Sequence, residues 1–372
     1  MMAAGERSGG GGLIAILGAG SVGRLWAALL PSEHCAFLPR LSIDASEHEF
    51  EPRRSFSRQE VSPETRCEYV LVRSAPPFGA NAPASRQRSR ASRPWLAREV
   101  LRTSPMAPQG FGRDFLTASP DPEDNRSSVS LPWLRSAESV RLILVTTKAG
   151  DTLAALNDWL PHIPGDTPVV LFQNGLGSQQ TVAEHWPERP ILAASTTEGA
   201  NRPSPDVLVH AGAGDTWVGA LTASAANHTA SVIQQLAETG LRVHAEENIL
   251  QRLWQKLVIN AGINPFTALL NCPNGDILSS TLYQQNIDGL CAEISLLLHA
   301  ETSMAIAPGV LREQIETVAR NTASNTSSMR ADVMAGRKTE IDFINGYLVQ
   351  CGERHGIATP VNQMLTNRVQ GL

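Results

Sequence analysis

Lys256, Asn260 and Asn264 recur at every fourth position inside Leu253–Asn264, where leucine, valine and isoleucine fill most of the other places. At about 100° per residue the three side chains fall within roughly 80° of one another on one helix face. An ammonium and two amides in apolar company are costly to bury unpartnered, so water or a polar ligand must meet them. A solvent-facing stripe accounts for the spacing equally well when the segment stands alone.

A second chemical pattern is Gly18-Ala19-Gly20-Ser21-Val22-Gly23, directly after the apolar run Leu13–Leu17 and directly before a helical stretch, Arg24–Leu30. Glycines at a strand-to-helix turn suit a dinucleotide. The first permits the tight turn, the second lets a pyrophosphate approach the backbone, and the third lets the helix pack on its strand. The helix N-terminus then offers unpaired N–H groups to the phosphates.

The elements that must position these residues follow from apolar runs. Leu13–Leu17, Arg141–Thr147, Pro168–Phe172 and Ile191–Ser195 read as strands buried on both faces, with a helix at Leu153–Leu160 between two of them. Alternating strands and helices predict a doubly wound parallel sheet of the α/β class, with ligands at the carboxyl ends of the strands. Those ends carry Gly18–Gly23, Thr147-Lys148, Gln173-Asn174-Gly175 and Thr196-Thr197-Glu198-Gly199-Ala200. Shorter strands are expected at Val207–His210, Thr216–Val218 and Leu241–His244 around a helix at Ser231–Glu238. Past Glu247 the pattern is helical almost throughout. The expected division is therefore residues 1–247, a nucleotide-binding α/β domain, and 248–372, a helical substrate domain.

The chain has 372 residues, a formal net charge of −5 and 42% hydrophobic residues, which fits two or three globular domains. No run approaches the roughly 18 apolar residues that span a bilayer, and the Gly-rich start lacks a basic region leading into a long apolar one, so a cytoplasmic protein is expected. Five scattered cysteines without a CxxC pair suggest neither a disulfide framework nor a metal site. The acidic balance argues weakly against nucleic acid as a partner. Of 31 basic residues only Lys148, Lys256 and Lys338 are lysines, which reads as codon bias but makes each lysine worth inspecting.

Between about 41 and 132 the chain turns to serine, proline and arginine. Eight arginines fall between Arg73 and Arg113 against one acid, Glu99. Too little apolar surface is present there to offset ordering entropy, so a disordered insertion is expected. A basic arm for nucleic acid or an acidic partner is the sharper alternative.

Taken in order, Lys148-Ala149, Gln173-Asn174-Gly175-Leu176-Gly177, Thr196–Ala200, Lys256-xxx-Asn260-xxx-Asn264, Asn271-Cys272-Pro273-Asn274-Gly275, Asn325-xx-Ser328-Met329, Thr339-Glu340-Ile341-Asp342 and Asn345-Gly346 resemble the ketopantoate reductase family over residues 13–40 and 141–366. The resemblance implies a Rossmann-type domain followed by an all-helical domain, with the active site in the cleft between. It also implies reduction of 2-dehydropantoate to (R)-pantoate by NADPH, for pantothenate and coenzyme A synthesis.

By position, Lys256 matches the family's general acid. Negative charge develops on a carbonyl oxygen when hydride reaches its carbon, and an ammonium can stabilise it and deliver a proton. A cleft would also lower the lysine's pKa by desolvation. Asn174, Asn260, Asn264, Asn274, Asn325 and Ser328 match substrate-contacting positions. Glu340, which alone would read as a surface acid in a helix, matches the family's cleft carboxylate, a second catalytic position that lies close to cofactor and substrate and can orient Lys256 or a substrate hydroxyl. The cofactor positions are Gly18, Ala19, Gly20, Ser21, Val22, Gly23, Lys148, Asn174, Ala200 and Glu340, with no metal.

One departure concerns the 2′-phosphate of NADPH, for which Arg40 is the candidate because a guanidinium grips it bidentately. Pro39 makes Ala36–Arg40 a poor strand, and several dozen extra residues follow. A related 2-keto acid reductase and a catalytically inactive NADPH-binding regulator remain alternative readings, and the oligomeric state, a homodimer included, stays open.

Overall fold

The computed structural model describes residues 12–39, 66–73, 126–134 and 139–372. The first half runs β1 (Leu13–Leu17), α1 (Ser21–Leu29), β2 (Cys35–Leu38), β3 (Arg66–Arg73), β4 (Arg126–Pro132), β5 (Val140–Val145), α2 (Ala149–Trp159), β6 (Val169–Leu171), α3 (Ser178–His185), β7 (Ile191–Thr196), β8 (Gly199–Ser204), β9 (Val207–Gly212), β10 (Asp215–Ala220), α4 (Thr229–Ala237) and β11 (Arg242–Ala245). Beyond it the described elements are helical: α5 (Ile249–Leu270), α6 (Thr281–Thr302), α7 (Pro308–Asn321), α8 (Ser328–Met334), α9 (Asn345–His355) and α10 (Pro360–Gln370), with short 3₁₀ turns between.

Seven strands form one sheet in the order β11-β10-β7-β6-β5-β1-β2. β2, β1, β5, β6 and β7 run parallel, and β10 joins β7 antiparallel. Successive side chains of a strand point to opposite faces, so a sheet covered on both sides needs unbroken apolar runs. Ile14, Ile16, Leu142, Leu144 and Val170 pack under α1 and α4 with Leu25, Trp26 and Leu236. Their neighbours Ala15, Leu17, Ile143, Val145 and Leu171 pack on the other face with Leu156, Trp159 and Val182 from α2 and α3. Fully burying one such side chain stabilises the fold by about 1.5–3 kcal/mol. A separate core centred on α5 and α6 holds the helical half.

Two expectations are corrected. β2 is a regular strand with all four residues buried, paired parallel to β1 up to Leu17 and Leu38. Pro39 falls just past the last pair, where its missing N–H removes no ladder bond.

The stretch 41–132 is also not unstructured throughout. β3 and β4 pair antiparallel, and with β9 and β8 they make a four-stranded sheet in the order β4-β3-β9-β8. Cys67, Tyr69 and Leu71 alternate into the core with Leu131 and Leu208, while Arg66 and Glu68 face out. The pattern has strand periodicity, but the partner strand lies beyond residues 74–125, so the pairing is not local. Those intervening residues, and the basic arm expected in them, lie outside the described residues.

Candidate active site

The parallel strands β1, β5, β6 and β7 bring four loops to one edge of the sheet. Gly18 leaves β1 at φ +112, and a Cβ there would stand 2.6 Å from the Thr147 nitrogen. A Cβ on Gly23 would stand 2.1 Å from the Gly18 carbonyl oxygen, so α1 packs against the turn only without one. Gly20 has open space, its nearest neighbour being the Thr146 carbonyl at 3.8 Å. It is the N-cap of α1, and no side chain caps the Ser21-Val22 turn. The first N–H groups of α1 thus remain available to an anion, and the open face at Gly20 is the cradle a dinucleotide pyrophosphate needs.

Glu340 precedes the 3₁₀ turn Ile341–Phe343 rather than lying in a helix. Its Oε1 accepts the Ala149 N–H at 3.1 Å, and its Oε2 accepts from Asn174 Nδ2 at 3.3 Å. Burial pushes its carboxyl above the ordinary carboxylate value, opposed by these two hydrogen bonds and by the Lys148 charge. The loop that carries Asn174 is pressed onto the same segment: Leu176 N–H donates to the Phe343 carbonyl at 2.9 Å. A Cβ on Gly175, at φ +77, would come within 2.1 Å of that carbonyl oxygen.

Lys256 projects from α5 to the end of β7, where its Nζ donates to the Thr196 carbonyl at 3.0 Å. Burial lowers its pKa from 10.5 to about 8, and the Glu340 charge works the other way. The cleft therefore holds an ammonium that can give up its proton near neutral pH, facing a carboxyl that resists ionisation.

Asn260 and Asn264 follow Lys256 on α5, and neither side chain hydrogen-bonds another described residue. Their helix contains Pro265, which has no N–H for the Ala261 carbonyl four residues earlier. Asn345 Nδ2 approaches that carbonyl at 3.4 Å and donates to Asn362 Oδ1 at 3.0 Å, so a residue of the Asn345-Gly346 motif supports the bend. Asn274 is buried, with Nδ2 on Thr322 Oγ1 at 3.0 Å and an Oδ1 that has no partner among the described residues. Its backbone N–H donates to the Asn325 carbonyl at 3.0 Å, which joins two of the expected substrate segments. The Asn325 and Ser328 residues themselves are exposed.

Lys148, expected at the cofactor, caps α2. Its ammonium donates to the Lys338 carbonyl and pairs with Asp332 at 2.9 Å, so it meets the far side of the cleft. Ala200, the second residue of the edge strand β8, lies opposite His210. Arg40 lies outside the described residues. Asp332, the carbonyl of Thr196 and the amide of Ala149 were not among the expected site residues. Asp332 lies a few residues past the Asn325-xx-Ser328-Met329 motif, but only its contact with Lys148 distinguishes it from an ordinary surface acid. The described residues hold no cluster of metal-ligating side chains.

Residues 248–372 match the family model "Ketopantoate reductase PanE/ApbA C terminal", and residues 110–223 match "Ketopantoate reductase PanE/ApbA". The chain is 38% identical over 232 residues to 2-dehydropantoate 2-reductase of Vibrio cholerae, covering 62% of this chain and 77% of that one. It is 32% identical over 251 residues to the 2-dehydropantoate 2-reductase of Halobacterium salinarum, covering 66% and 82%. Among solved structures, 2-dehydropantoate 2-reductase from Geobacter metallireducens superposes with a TM-score of 0.65 at 19% identity, covering 96% of this chain and 99% of that one. A D-mandelate dehydrogenase solved with NADH gives 0.59 at 24% identity, covering 65% and 80%. With both halves matched by the same family's models, and with 2-dehydropantoate 2-reductases more than 30% identical to it, the chain belongs to the ketopantoate reductase family.

Proposed function

We propose that this protein reduces the ketone of 2-dehydropantoate to (R)-pantoate with NADPH, and that Lys256 is the proton donor. It is an oxidoreductase that takes a nicotinamide cofactor and a small-molecule substrate. When bound, the dihydronicotinamide supplies hydride to the ketone carbon. Lys256 stabilises the charge that develops on the ketone oxygen and protonates it. The observation that carries this role is the ammonium itself: it is held at the Thr196 carbonyl in the cleft, with its pKa lowered by burial to about 8, close to the pH at which it must act.

The Glu340 charge favours the Lys256 ammonium, against the burial that lowers its pKa, and through Ala149 and Asn174 Glu340 ties the loops after β5 and β6 to the helical half. Asn260 and Asn264 present free amides beside Lys256, and Asn274 a buried carbonyl oxygen without a partner, groups suited to the hydroxyls and carboxylate of the substrate. The division near residue 247, cytoplasmic placement and a homodimer belong to this same reading. Among the described residues no helix is long and apolar enough to cross a membrane, and a related solved reductase from Staphylococcus aureus is described as dimeric.

The test is NADPH oxidation with 2-dehydropantoate, ketoisovalerate and acetolactate offered separately to the purified protein. The expected kcat/KM is highest for 2-dehydropantoate and higher with NADPH than with NADH. A preference for another keto acid removes the substrate assignment, and a preference for NADH removes the cofactor assignment.

A further inference from the structure

Two guanidinium groups converge on one carbonyl of the Gly-rich loop. Arg24 Nε donates to the Ala19 oxygen at 3.1 Å, and Arg202 Nη1 donates to the same oxygen at 3.0 Å. Arg24, on α1, is otherwise occupied: Nη1 donates to the Pro205 carbonyl at 2.6 Å, and its guanidinium lies 5.0 Å from the Tyr69 ring centre. The Tyr69 hydroxyl in turn donates to the Arg24 carbonyl at 2.6 Å, so β3 braces this arginine from behind. Arg202 differs. It projects from β8, the exposed edge strand of the small sheet, and the bond to Ala19 is its one hydrogen bond to a described residue.

No carboxylate among the described residues pairs with Arg24 or Arg202. Arg202 loses part of its affinity for its proton through burial, then through the like charges of Arg24 and Arg337. Two guanidiniums, from α1 and β8, therefore meet at the turn that opens α1, and no carboxylate among the described residues pairs with either. Such a surplus is stabilised by an anion, and a guanidinium grips a phosphate through paired N–H donors.

We propose that Arg202 is a cofactor ligand, gripping the dinucleotide pyrophosphate from β8 opposite the N–H groups of α1, with Arg24 holding the loop in place beneath it. This rests on the reading of the protein as a nicotinamide-dependent reductase. It places a phosphate contact on the β8–β9 side of the cleft, away from the end of β2.

The experiment is equilibrium binding of NADPH and of NADH, followed by nicotinamide fluorescence, to the wild-type chain and to Arg202→Leu, Arg202→Gln and Arg202→Lys. Loss of one charged hydrogen bond predicts about tenfold weaker binding or more for both cofactors in the Leu and Gln variants. Arg202→Lys should recover part of the loss, and rising salt should weaken wild-type binding more than that of the Leu variant. Arg202→Gln keeps a neutral amide donor but has no charge. If only the Leu variant is impaired, the loop contact alone matters and the proposal is overturned. If NADPH weakens and NADH does not, Arg202 meets the 2′-phosphate and the pyrophosphate assignment is overturned. Unchanged affinities in all three variants overturn it too. Those outcomes leave the reductase reading intact, whereas a wild-type chain that binds neither cofactor removes that reading as well. Thermal melts of the variants verify that each is folded.

Discussion

Glu340 Oε1 accepts the backbone N–H of Ala149, the first residue of α2, at 3.1 Å. A carboxylate at a helix N-terminus satisfies an amide that the helix cannot and sits in the favourable end of its dipole. Because Glu340 comes from the helical half and α2 from the sheet half, this bond joins the two walls of the cleft. Asn174 reaches the other oxygen, and Lys256 lies within its electrostatic reach.

Replacing Lys256 with alanine should lower kcat by about 10²- to 10⁴-fold, the usual contribution of a positioned acid. NADPH affinity, read by fluorescence titration, should stay close to wild type, because the lysine's bond is to the Thr196 carbonyl and not to the Gly-rich loop. Near-normal turnover would take Lys256 out of the mechanism.

The pH dependence has a definite sign. Reduction needs the protonated ammonium, so log(kcat/KM) should be level below pH about 8 and fall above it, following the lowered lysine pKa. In Glu340→Gln the charge that opposes the lowering is gone, and the falling limb should move to lower pH. A limb that stays in place in the variant separates Glu340 from the titration.

Gly175→Ala should unfold at a lower temperature. The position has φ +77, and the added Cβ would lie 2.1 Å from the Phe343 carbonyl oxygen. A cost of about 2 kcal/mol or more is expected from the left-handed backbone and the displaced loop. Since Asn174 moves with it, kcat should fall as well, measured alongside the thermal melt.

Glu293→Ala tests a feature remote from the chemistry. This carboxylate, 6% exposed, accepts from the N–H groups of Val361 and Asn362 at 2.7 and 3.0 Å and from Asn362 Nδ2 at 2.7 Å, so it caps α10 from α6. Its removal leaves buried donors unpaired at about 3 kcal/mol. Denaturant unfolding should show that loss, with KM little changed.

Much of the sheet was legible in the sequence because its strands are buried on both faces. β1, β5, β6 and β7 must be continuous apolar runs, and a run followed by a glycine turn and a helix has few other solutions. The Lys256-Asn260-Asn264 stripe was legible for a similar reason, since helical spacing is local. β3 and β4 were hidden because each is only half-buried and its partner lies across residues 74–125. β2 was undervalued because a proline one residue beyond a strand looks, in one dimension, like a proline within it.

By itself the sequence determined which residues could do the chemistry: the Gly-rich loop, a lysine with amides on one helix face, and the acid in Thr339–Asp342. Only the tertiary structure decided which of them meet. Lys148 turned to Asp332, Glu340 was withdrawn from the surface onto Ala149, and Arg202, within the edge strand β8, came to stand over Ala19. Spacing along a helix or strand follows from backbone geometry and can be read residue by residue. Contacts between segments depend on how the sheet and the helical half pack, and burial then sets the pKa values of Lys256 and Glu340.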